Sequence, residues 1–223
     1  RVDRKIKLKD LPEQYAKQFL EEGGSRNLVF AYPVKSATTS KEGMFRFNDR
    51  MAQISPKITG WVPVMVSWTE DVENGSKKAA LFVFLVVFGV MVVTFRSLRY
   101  AVLAAVPLLA GMIWMLGIYP LLGLKLNAVN IAVIPLVIGM GIDFGIHIVH
   151  RYRVEGNLET VYLFTGKAVF LSALTTMVGF GSLALIGSFP SIASIGAVLF
   201  LGIATCLVAT LVLLPALLSF LRK

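Results

Sequence analysis

Asp143 is the residue around which chemistry can be argued. It lies in Ile138-Gly139-Met140-Gly141-Ile142-Asp143-Phe144-Gly145-Ile146-His147, and the chain from Leu126 to Ile142 before it carries no charge. An ionised acid at the centre of a membrane helix costs about 2.5–3.5 kcal/mol, and such residues face a bundle interior, pair with another group or relay protons. His147 and His150 follow at i+4 and i+7, so a helix places all three on one face as a polar track. Asp143 and His147 are read as proton-relay residues that would titrate as a coupled pair. His150, beside Arg151-Tyr152-Arg153, is read as interfacial. The competing reading makes Asp143 a structural hydrogen-bond partner for another helix. Moving one charge through the membrane field yields about 2.3 kcal/mol per 100 mV, enough to bias a conformational equilibrium of a few kcal/mol.

Small and hydroxylated residues surround this acid. Gly139, Gly141 and Gly145 are helix-packing positions, with Gly141-x-x-x-Gly145 allowing close approach of a neighbour. A dinucleotide loop is excluded, because the glycine spacing is wrong and no strand precedes it. Ser172, Thr175, Thr176 and Gly179 recur at helical spacing further on. They either pack another helix or supply hydroxyl support to Asp143. Lys125, Asn127 and Asn130 are read as interfacial, and Trp61 and Trp68 as core or interface anchors. The one cysteine, Cys206, lies in an apolar run and can form no internal disulfide. No metal-ligand set is expected.

The elements that must hold these residues are membrane spans. Of 223 residues, 56% are hydrophobic and 16% charged, and mean hydropathy is +0.74. Beyond residue 76 the only acidic side chains are Asp143, Glu155 and Glu159. This pattern marks an α-helical multi-pass membrane domain over 77–223, after a polar segment over 1–76. Runs near 79–95, 100–119, 128–149, 168–187 and 192–214 reach the length of about 17–25 residues needed to cross. Ser188-Phe189-Pro190-Ser191 separates the last two. The net charge of +9 sits largely in short loops, which argues for topology rather than nucleic-acid binding. Arg96, Arg99, Arg151, Arg153, Lys167, Arg222 and Lys223 mark the cytoplasmic side and put 1–76 outside. Counting from Val129 at about 1.5 Å per residue, Asp143 lies about 21 Å into a core of roughly 30 Å, nearer the cytoplasm.

The outer segment reads as a small α/β unit. A capping box at Asp10-Leu11-Pro12-Glu13 opens a helix bearing Leu11, Tyr15 and Phe19, which Gly23-Gly24 closes. A strand is expected over 28–34, then a helix with Met44, Phe47, Met51 and Ile54 on one face. A second strand is expected from the alternation of Val62, Val64, Val66 and Trp68. Together these suggest half of a split βαβ domain, with partner strands elsewhere. The opening Arg1-Val2-Asp3-Arg4 is not a start signal, and an external N-terminal segment needs an earlier span, so missing upstream sequence is expected.

The run from Ile134 through His147, followed by His150-Arg151-Tyr152, resembles the fourth-helix motif of the resistance-nodulation-division (RND) superfamily. The best match is to its large mycobacterial-membrane-protein-like (MMPL) and hopanoid-transporter-like exporters. Asp10-Leu11-Pro12, Val29-Phe30-Ala31-Tyr32-Pro33, Thr59-Gly60, Phe95-Arg96-Ser97-Leu98-Arg99 and Leu171 through Gly181 extend the resemblance over nearly the whole chain. It implies one half of a two-half transporter, lacking its first helix, with a porter-like outer domain. It also implies a proton relay at Asp143 and lipid or amphipathic cargo. Phe144 stands where tyrosine is frequent, so an Asp-Tyr pair does not carry over. Thr59-Gly60-Trp61-Val62-Pro63 has one more residue before its proline than the usual pattern.

The expectation is a secondary transporter of the inner membrane, not an enzyme, driven by proton motive force without a cofactor. It would export lipids or hydrophobic compounds by proton antiport or efflux, and pair with its other half or with further copies of itself. A lipid- or sterol-sensing module without pumping is one alternative, and a protein-secretion accessory of the same superfamily is another.

Overall fold

The computed structural model describes residues 30–33 and 40–220. The chain divides into two compact units, Arg1–Val66 and Ser67–Lys223. In the first, helix α1 (Lys41–Ile54) begins at Ser40, whose Oγ accepts from the Gly43 amide at 3.0 Å, and ends where the Ser55 amide donates to the Met51 carbonyl. Met44, Phe47 and Met51 are half-buried along one face, while Ile54 is exposed.

The α/β expectation for this segment needs correction. Among the described residues there is no strand, and residues 30–33 have no regular structure. Val62, Val64, Val66 and Trp68 belong instead to helix α2 (Trp61–Phe95). Their alternation is also compatible with a helix: Val62 and Val66, four apart, are buried, whereas Val64 and Trp68 are exposed. Pro63 falls in the first turn, where its missing amide removes no helical hydrogen bond. The capping box at Asp10, the helix over Leu11, Tyr15 and Phe19 and most of the strand over 28–34 lie outside the described residues.

Among the described residues five helical runs are long and apolar enough to cross a membrane: Trp61–Phe95, Leu98–Leu121, Ala128–Glu155, Leu158–Ile186 and Pro190–Phe220. The second is α3 (Leu98–Leu121). The third joins the short α4 (Ala128–Ile131) to α5 (Ile134–Glu155), with Pro135 in the first turn of α5 and Gly156 closing it at φ +68°. The fourth starts as α6 (Leu158–Val161), passes through a π-helical turn (Tyr162–Gly166) and continues as α7 (Lys167–Ile186). The fifth is α8 (Pro190–Phe220). Gly187 ends α7 and Pro190 opens α8, so the turn lies at the expected proline.

Helix α8 is the hub. It packs against α7, α3 and α5, and α3 also packs against α5. Small residues permit this, because between membrane helices close packing must replace the hydrophobic effect. A Cβ on Gly111 would lie 2.6 Å from Cys206 Cα, and one on Gly196 would lie 2.6 Å from the Phe180 carbonyl oxygen. A Cβ on Gly202 would meet Val137 Cγ1 at 2.6 Å. At the end of α2 the Arg153 guanidinium donates to the Phe95 carbonyl and lies over the Tyr100 ring, 5.4 Å from its centroid. That side chain ties the last turn of α2 to α5.

Candidate functional site

Helix α5 has two faces. Val137, Ile138, Gly141, Ile142, Phe144, Gly145, Ile148 and Val149 are buried, while Asp143, His147 and His150 are exposed on the other face. The spacing of Asp143 and His147 translates into one open polar stripe. Asp143 and His147 interact electrostatically. His150 departs from them, with its ring 6.5 Å from that of Phe95.

The buried face explains two of the glycines. A Cβ on Gly145 would run into the Ala104 carbonyl oxygen of α3, and one on Gly141 would lie 2.9 Å from Cys206 Sγ of α8. The backbone contact at Gly145 tolerates no side chain, whereas at Gly141 the Cys206 side chain would have to shift. Gly139 differs from the expectation, since a Cβ there would meet nothing within 4 Å. It makes no packing contact among the described residues, because two residues rotate it by roughly half a turn from Gly141, off the α3–α8 side.

Asp143 opens into a groove of about 350 Å³. Met140, Phe144 and His147 of α5 form one wall with it, and Ala168, Val169, Ser172 and Thr176 of α7 form the other. Ile203 of α8 is at the floor and Thr165 of the π turn completes the lining. The two walls pack mainly on α8 rather than on each other. Of the expected hydroxyl supports, Ser172 and Thr176 line the groove, whereas Thr175 does not. Thr175 and Thr176 both donate to the Ser172 carbonyl at 2.8 Å. The Ser172 hydroxyl makes no such bond to its own helix among the described residues.

Two residues were not legible as site or core. Thr165 precedes Ser172 by seven positions and Thr176 by eleven, a hydroxyl stripe on one helix face, but Lys167 makes the span look as if it begins later. Asn130, expected at the interface, is fully buried. Its amide nitrogen lies 3.1 Å from Tyr119 Oη, 3.0 Å from the Lys125 carbonyl oxygen and 2.8 Å from Ser194 Oγ. Its Oδ1 accepts from the Asn127 amide at 2.8 Å, while Asn127 Oδ1 accepts from the Asn130 amide at 3.0 Å. This network fastens α3, α4 and α8 together. Among the described residues no group of three or more His, Cys, Asp or Glu side chains is placed to hold a metal ion.

Fold and site together define a multi-pass membrane protein with an acidic residue on a glycine-faced helix, open to a lateral groove. The sequence matches the MMPL family over residues 44–222, and the chain belongs to that family. A membrane protein of Methanocaldococcus jannaschii is 30% identical over 94% of this chain and 58% of its own length. The hopanoid transporter HpnN of Rhodopseudomonas palustris is 34% identical over 78% of the chain and 20% of its own length. HpnN of Burkholderia multivorans is 32% identical over 63% of the chain and 16% of its own length. The chain thus spans little more than half of the first relative and a fifth or less of the others.

Proposed function

We propose that this chain is part of a proton-driven secondary transporter that moves lipids or other hydrophobic or amphipathic compounds in the inner membrane. The carrying observation is the exposed Asp143–His147 stripe beside a groove whose other wall offers Ser172 and Thr176. A carboxylate used only for packing would be bonded to a neighbouring helix, and the Asp143 carboxylate makes no hydrogen bond to another described residue. Similarity to the hopanoid transporters supports a lipidic cargo.

In this mechanism the groove admits a proton to Asp143, neutralising a charge that costs about 2.5–3.5 kcal/mol at the bilayer centre. Because α5 and α7 both rest on α8, a change of that size shifts their relative packing without breaking the core. The open polar face is completed by the other half of the transporter or by a second copy, and residues 1–76 lie on the outer side. No cofactor takes part and no covalent chemistry occurs, so the protein is not an enzyme.

The test is Asp143→Asn in the full-length protein, reconstituted in vesicles with an imposed pH gradient. The expected outcome is normal insertion and assembly with loss of gradient-driven export. Transport that continues to respond to the gradient would remove Asp143 from the relay.

A further inference from the structure

We infer that Thr165, presented by the π-helical turn Tyr162–Gly166, is a positioning residue that holds water on a cytoplasmic proton path between His147 and the inner surface. This rests on the proposed relay at Asp143 and deepens it.

Three observations carry the inference. The first is the turn itself. In an α-helix residues three apart share a face, but the wider i→i+5 turn separates them, and such turns are rare and frequent at functional sites. Here Tyr162 is directed to α8, where its hydroxyl donates to the Thr210 carbonyl at 3.2 Å, while Thr165 lines the groove against α5. Gly166 permits the arrangement, since a Cβ there would lie 3.2 Å from Tyr162 Cδ1.

The second observation concerns hydroxyl use. Thr175, Thr176, Ser182, Thr205, Thr210 and Ser219 each donate to a carbonyl of their own helix. Among the described residues, Thr165 and Ser172 make no such bond, and both line the groove with Asp143. Their hydroxyls are thus available to a molecule in the groove.

The third is order along the membrane normal. The fourth span runs opposite to the third, so Thr165 lies a full seven residues before Ser172, on the end shared with His147. From the cytoplasmic end, α5 presents His147 and then Asp143 to the groove, and the fourth span presents Thr165, then Ser172 and Thr176. A groove of about 350 Å³ has room for more than one water, and these polar groups supply the partners such waters need.

The experiment uses the full-length protein with Cys206→Ala, which removes the one thiol of this chain. Thr165→Cys is exposed to a membrane-impermeant cationic thiol reagent in vesicles of each orientation. Labelling from the cytoplasmic face is expected. Absence of labelling from that face overturns the hydrated path. In parallel, Thr165→Val is expected to slow gradient-driven export several-fold and Thr165→Ser to restore it. Equal rates for the Val and Ser variants overturn the role of the hydroxyl. Should Asp143→Asn retain proton-coupled export while Thr165→Cys still labels, the relay assignment fails and the water path stands.

Discussion

The membrane unit contains two polar clusters that obey opposite rules. Around Asn130 the side chains are interlocked: Asn130 and Tyr119 are buried, Ser194 is half-buried and Asn127 exposed, and their hydrogen bonds join three helices. Asp143 and His147 are exposed, and the Ser172 hydroxyl that lines the same groove is left uncommitted. Polar groups that serve structure in a membrane are saturated by protein, because an unsatisfied one is costly. Groups that exchange protons must keep capacity for something that comes and goes. The contrast is what the proposed roles of the two clusters, scaffold around Asn130 and relay at Asp143, rest on.

Exchanging the two behaviours breaks the comparison most severely. Asp143→Asn is expected to abolish gradient-driven export while leaving the melting temperature in detergent within a few degrees of the parent. Asn130→Leu is expected to do the reverse. It orphans several partners at about 1–3 kcal/mol each, lowering thermal stability markedly, while the surviving folded fraction still responds to the pH gradient. If Asn130→Leu melts like the parent, the buried cluster is not a scaffold.

A smaller effect separates the glycines. Gly145→Ala pushes a methyl into the Ala104 carbonyl and is expected to cost about 1–3 kcal/mol, as overpacking does. Gly139→Ala meets open space within the chain and is expected to change stability by less than about 0.5 kcal/mol. Chemical denaturation of the two variants side by side checks this. The finest contrast lies on α7. Ser172→Ala is expected to slow export several-fold, whereas Thr175→Ala, whose hydroxyl is spent on its own helix, leaves the rate unchanged in the same vesicle assay. Equal slowing by both would erase the distinction between free and committed hydroxyls.

Much of this arrangement could be read directly from residue spacing. Long charge-free runs divided by Arg96, Lys125, Arg151 and Pro190 announce five spans, and positions 143, 147 and 150 announce one polar face. What spacing could not reveal depends on contacts between elements. Asn130 looks like an interfacial residue until Tyr119 and Ser194 are brought to it from distant parts of the chain. Val62 to Trp68 satisfies the period of a strand and of a helix alike, and only continuity with the following apolar run decides between them. The π turn has no local signature, because Tyr162 and Thr165 reveal different allegiances only once α8 and α5 are in place. Gly139 and Gly141 are indistinguishable by type, and helix rotation alone assigns one to a contact.

The central position of α8 also bears on biogenesis. It is the last of the five spans to be synthesised, yet α3, α5 and α7 all pack on it. Until Pro190–Phe220 emerges, α7 has little to rest on and the Asp143 groove lacks its floor. A nascent chain therefore waits in the bilayer with that groove unformed until the fifth of these spans has arrived.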